Sequence, residues 1–86
     1  MNRYHEDLAW RVLPRIPTLA GRMAFLALCR FAGPVGISYA TLPELIRATG
    51  MSERGLQGGL KVLVERRLIE RKTVPGQRTE TRIIAQ

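Results

Sequence analysis

With 86 residues the chain has room for one core and one domain, because a chain this short buries only about 60 to 65% of its unfolded surface. Its 45% hydrophobic and 24% charged residues exclude a disordered or disulfide-built protein, and the longest apolar run, Met23 to Cys29, is far shorter than the ~20 residues of a membrane span. A net charge of +7 directs attention to a polyanionic partner, nucleic acid before an anionic membrane surface.

From Tyr4 to Leu13 the apolar pairs Leu8 and Val12, Ala9 and Leu13 recur at i,i+4, which predicts a short amphipathic helix that Pro14 stops. Arg3, Glu6 and Asp7 precede any apolar stretch, so no signal peptide or lipidation motif is legible and a cytoplasmic protein is expected. Pro14 and Pro17 mark a connection, and residues 1–17 form an N-terminal helix with its linker to a domain over 18–86. Thr18 is a good N-cap for a helix to about Phe31, closed by Ala32-Gly33-Pro34. Leu19, Met23, Phe25, Leu26 and Leu28 cover more than one of its faces, so this helix is expected to be the central element. Cys29, the sole cysteine, excludes an internal disulfide, fits a reducing compartment and reads as a buried structural thiol.

Gly36 to Tyr39 is a short extended segment that needs a strand partner from elsewhere. Thr41-Leu42-Pro43-Glu44 has the form of a capping box and opens a helix through Leu45 and Ile46 to Thr49, where Gly50 permits a sharp turn. Ser52 then caps a second helix over 52–67, with Glu53 at the positive end of its dipole. Leu56, Leu60, Leu63 and Val64 form one apolar stripe, leaving Arg54, Gln57, Gly58, Lys61 and Glu65 on the opposite side. Beyond Arg66-Arg67 the period becomes extended, and residues 69–84 read as a β-hairpin around Pro75-Gly76-Gln77 that supplies the missing partner strand. The fold class is therefore α+β, mainly α.

The order helix, helix, strand, helix, tight turn, helix, hairpin, together with Leu42-Pro43-Glu44-Leu45-Ile46-Arg47-Ala48-Thr49-Gly50-Met51-Ser52-Glu53-Arg54 and Leu68-Ile69-Glu70-Arg71, resembles the winged helix-turn-helix family. It is similar in particular to the domains of phage and plasmid replication initiators and small bacterial repressors, over residues 18 to 84. The resemblance implies a three-helix core with the N-terminal helix added, helix 52–67 in the major groove of double-stranded DNA and wing 69–84 on the backbone or minor groove. Chemistry suggests what each exposed group can do. Arg54 can reach guanine O6 and N7, Gln57 can pair with adenine, and Lys61 suits phosphate. Ser38, Tyr39 and Thr41 stand ahead of the first motif helix, where hydroxyls and helix N-terminal amides hold a phosphate, with capping the competing job for Thr41. Lys72, Gln77, Arg78 and Arg82 are the wing candidates, against the alternative of a charge-protected sheet edge. Twelve of the fourteen basic residues are arginine, whose planar fork suits phosphate and guanine.

Gly58 and Gly59 cost a helix interior roughly 1 kcal/mol each relative to alanine. Gly58 is placed for close approach of DNA or a partner and Gly59 for close packing of the preceding helices; the alternative is that the helix merely tolerates both. Catalysis has no support: His5 lies near the terminus, expected to be frayed, and no Cys, Asp or Glu cluster surrounds it. Two Cys and His residues in all exclude a zinc site, and Gly55, Gly58 and Gly59 lack the Lys-Ser/Thr ending of a phosphate loop. No cofactor, small-molecule ligand or membrane is expected as a partner. The expected function is that of a transcriptional regulator, the alternatives being a plasmid or phage replication or partition protein and a winged-helix protein-interaction module. A homodimer through the N-terminal helix, with Trp10 at its surface, stands beside ordinary packing of Trp10 onto the core.

Overall fold

The computed structural model describes residues 3–73, 75–76 and 78–85, with side chains from His5 onward. The chain is α+β and mainly helical: helix α1 is Arg3–Val12, α2 Leu19–Phe31, α3 Leu42–Thr49 and α4 Glu53–Glu65, with strands β1 Ile37–Ser38, β2 Ile69–Lys72 and β3 Glu80–Ile83. One 3-10 turn, Leu13–Arg15, follows α1 and carries Pro14 in its first positions, where a missing N–H costs nothing. α2 is the element against which the others assemble, since α1, α3, α4 and the sheet all pack on it.

The apolar stripes of the four helices meet in one core of Leu8, Val12, Ile16, Phe25, Leu28, Leu45, Leu56, Leu60, Leu63, Leu68 and Ile69. α1 contributes Leu8, Ala9 and Val12, and His5 is buried beside them. The expected frayed terminus is thus corrected: one turn before Leu8, His5 shares the inward face of the helix and comes near Gly36. Trp10 is 66% exposed, which overturns packing onto the core; at 100° per residue it falls opposite Leu8, Ala9 and Val12. Leu19 and Met23 also remain exposed, so α2 buries a broad face rather than its whole circumference.

The sheet is antiparallel in the order β1-β3-β2, so the last strand is central. Ile37 and Ser38 pair with Arg82 and Thr81, while Ile69, Glu70, Arg71 and Lys72 pair with Ile83, Arg82, Thr81 and Glu80. β1 thereby acquires the partner that two residues require. The hairpin strands are shorter than expected, because pairing stops at Lys72 and resumes at Glu80. Between the strands Gly76 takes φ 79°, and the Thr73 and Thr79 hydroxyls lie 3.1 Å apart.

The ends of α3 and α4 follow local chemistry. Thr41 accepts from the Glu44 N–H at 3.3 Å while the Glu44 carboxylate accepts from the Thr41 N–H at 3.0 Å, completing the capping box. Gly50 closes α3 at φ 73°, a left-handed conformation that L side chains rarely adopt. Ser52 caps α4 by accepting from Gly55 N–H at 3.0 Å. α4 ends at Glu65 rather than 67: Arg67 takes φ 58°, its N–H donates to Val64 O at 3.0 Å, and Leu68 N–H donates to Leu63 O at 3.0 Å. This is a Schellman motif built on arginine instead of glycine, and it turns Leu68 into the core.

Candidate nucleic-acid interface

The α3 and α4 helices are joined by Gly50, Met51 and Ser52, and α4 then runs 13 residues, about 20 Å at 1.5 Å per residue. Leu56, Gly59, Leu60 and Leu63 hold α4 to the body, chiefly against α2. Where the two helices cross, a Cβ on Gly59 would lie 2.5 Å from the Ala20 carbonyl oxygen and 3.1 Å from Gly21 N. Gly59 therefore allows the close helix packing expected of it. Gly58, one residue earlier, has nothing within 4 Å of such an atom and faces outward.

Anchoring one face fixes the other. Ser52, Glu53, Arg54, Gln57, Gly58 and Lys61 are all exposed, and Arg54, Gln57 and Lys61 fall within a narrow arc down the outer side of α4. Among the described residues neither Arg54 nor Lys61 is held in an ion pair, and Ser52 uses its hydroxyl as a cap. A guanidinium, a carboxamide and an ammonium thus stand in a row on a rigid rod, free to donate outward.

Ahead of α3 the arrangement is different. Ser38 is completely buried and its hydroxyl accepts from Ala40 N–H at 3.2 Å, so contrary to expectation it cannot meet a phosphate: it lies in the interior beside Thr81. Thr41 spends its hydroxyl on the capping box. Tyr39 is exposed and its hydroxyl donates to Glu80 Oε1 at 3.4 Å, reaching the start of β3. Arg78 comes back from the β2–β3 hairpin to meet the same segment, with Nη1 3.0 Å from Glu44 Oε1 and 3.3 Å from Tyr39 O. Arg78 is therefore a clamp between the β2–β3 hairpin and α3, while its side chain stays 60% exposed. The Thr41 N–H and hydroxyl, and next the Arg78 charge, hold the Glu44 carboxyl below its ordinary value.

The register places Lys72 opposite Glu80 and Arg82 opposite Glu70, all on one side of the hairpin. That side is charge-balanced along the paired strands. Lys72 and Arg82 are exposed but share their surface with two carboxylates, so their pull on a phosphate is weaker than their number suggests. Gln77 lies outside the described residues. Arg71, not among the sequence candidates, pairs with Thr81 on the same face of the sheet as Ile69 but stays exposed, and it lines a groove of about 530 Å³ with Thr41, Leu42, Pro43, Arg78 and Gly76. Partial desolvation lowers its pKa without removing its charge. Period-two alternation from buried Ile69 is the signal that places an arginine on that face.

Among the described residues no group of three or more His, Cys, Asp or Glu is arranged to hold a metal, and no helix is long and apolar enough to cross a membrane. Comparison with protein-family models, with curated proteins and with solved structures finds no match.

Proposed function

We propose that the chain is a winged helix-turn-helix domain that binds double-stranded DNA sequence-specifically and without catalysis, as a small transcriptional regulator. The observation that carries the reading is the outer face of α4, where Arg54, Gln57 and Lys61 stand exposed in one row on a helix whose opposite face is fixed in the core. A helix is the element that fits the ~12 Å major groove of B-DNA, and arginine and glutamine are the side chains that read guanine and adenine edges in pairs of hydrogen bonds. The element order, the short turn between α3 and α4 and the antiparallel sheet whose hairpin flanks them support the same reading. So does the +7 charge, which favours association with phosphate at low salt.

In this arrangement α3 braces α4, Lys61 meets a phosphate, and the wing approaches the adjacent backbone with Lys72 and Arg82. The Arg78 clamp sets the angle of the wing relative to α3. Fluorescence-anisotropy titration against a random duplex pool at two salt concentrations, followed by sequencing of the retained fraction, tests the proposal. Salt-sensitive retention with an enriched motif is the expected result. Absence of retention even at low salt overturns it and makes the basic face a protein-docking surface instead.

A further inference from the structure

The side of the molecule built by α1 is not used by the DNA reading, yet it carries the chain's one tryptophan. Leu8, Ala9 and Val12 point α1 into the core, and Trp10 sits at the middle of the opposite face, 66% exposed. Glu6, Asp7 and Arg11 are exposed around it. Among the described residues neither Asp7 nor Arg11 is held in an ion pair. A large apolar ring on a face with exposed ions of both signs fits an apolar, charge-complementary cover.

The charge pattern identifies that cover as another α1. Asp7 and Arg11 are four residues apart and so lie on one edge of the exposed face. Let two α1 helices pack antiparallel about a two-fold axis level with Ala9. Each Asp7 then comes level with the partner's Arg11 on the same edge, and the two Trp10 rings lie within one residue of the axis, where they meet. Glu6 falls on the other edge, its two copies about 9 Å apart along the helix direction. A parallel pair sets like charge against like and has no such solution. We propose that two copies of the chain associate through the outer face of α1, antiparallel, with Trp10 against Trp10 and reciprocal Asp7–Arg11 pairs.

α1 is 10 residues long, about 15 Å, so the buried area is below the 1,200 to 2,000 Å² of a standard interface and the association is weak in the absence of DNA. The outer face of α4 takes no part, and each dimer presents two copies of it.

The test uses the whole chain without DNA, from about 10 μM to about 1 mM, by sedimentation equilibrium and by the emission of the single tryptophan. The expected result is a mass rising from one copy to two with a parallel blue shift as the ring leaves water. Trp10→Ala removes the dimer while far-UV circular dichroism stays unchanged. Asp7→Arg weakens association by about tenfold or more by placing like charges together, and the exchange Asp7→Arg with Arg11→Asp restores it to within about threefold. A monomer with constant emission at 1 mM overturns the proposal, as does a charge exchange no better than the single substitution. An emission shift that appears only on adding duplex DNA assigns the face to DNA and equally overturns it. Trp10→Ala is expected to retain binding to a DNA half-site, so loss of the dimer and loss of the DNA reading are separately visible.

Discussion

Two adjacent glycines in α4 are expected to respond in opposite directions to the same substitution. For Gly58→Ala the new methyl meets nothing within 4 Å, and the helix gains the difference in propensity, about 0.5 to 1 kcal/mol. For Gly59→Ala the same gain is opposed by a methyl 2.5 Å from the Ala20 oxygen and 2.7 Å from the Ala20 carbonyl carbon. Ordinary contact begins at 3.4 Å, so α2 and α4 must separate by about 0.9 Å. The obstacle is backbone and cannot swing aside as a side chain would. Separation also loosens Leu56, Leu60 and Leu63 against α2, and overpacking of this kind costs about 1 to 3 kcal/mol. The propensity gain is common to both variants, so they should differ by the overpacking cost, about 1 to 3 kcal/mol, which in a domain of this size is at least about 4 °C in Tm. Urea titration and thermal melts followed by circular dichroism measure the difference. Gly59→Ala as stable as Gly58→Ala would refute the close α2–α4 approach on which the placement of the α4 outer face depends. In DNA-binding assays Gly58→Ala also tests whether a backbone approaches there: lowered affinity at raised stability assigns Gly58 to the interface.

Arg54→Ala and Gln57→Ala are each expected to cost about 1 to 3 kcal/mol of DNA binding and to relax preference at one base position, whereas Lys61→Ala weakens all sequences alike and reduces the salt slope by about one; anisotropy against the selected motif and its single-base variants separates these outcomes. Arg78→Ala removes an exposed ion pair and should change stability by under about 1 kcal/mol, while releasing the wing from α3 and lowering DNA affinity by more than the stability change accounts for. Glu44 stabilises the fold above its ordinary pKa of 4.5, and that contribution is lost as pH falls through its lower folded value; in Glu44→Gln the acid limb of the stability profile should be flatter. The Cys29 thiol, buried in α2, is pushed up from 9.0 to about 12, so the stability it confers is intact below pH 9 and declines as pH rises toward 12. Cys29→Ala should remove that alkaline slope, and native Cys29 should resist alkylation at pH 8 until urea unfolds the chain.

Each helix has local punctuation that the sequence states openly. Pro14 and Thr18 bracket the first connection, the Thr41-to-Glu44 capping box opens α3, Gly50 closes it, and Ser52 opens α4, because these positions depend on interactions within three or four residues. The stripe from Leu56 to Leu63 likewise fixes which side of α4 faces the core, and hence that Arg54, Gln57 and Lys61 face out. What depends on distant partners was not legible. Ser38 looked available as a hydroxyl in a short polar segment, but pairing of β1 with the central strand turns it inward beside Thr81. The basic residues of the hairpin fitted either phosphate contact or a charge-protected sheet edge, and it is register that sets Glu70 and Glu80 across from Arg82 and Lys72, while Glu44 engages Arg78 from 34 positions away. Arg67 carries no sign of a helix end, since arginine has no preference for φ 58°; the burial of Leu68 and its bond to Leu63 impose that turn. The i,i+4 pairs of α1 already put Trp10 opposite Leu8, Ala9 and Val12, but that no other element covers the ring is decided by how α1 packs on α2. Composition, caps and periodicity, being local, determined the helices and the outward face of α4, and long-range pairing decided which polar groups of β1 and the hairpin stay exposed and unpartnered.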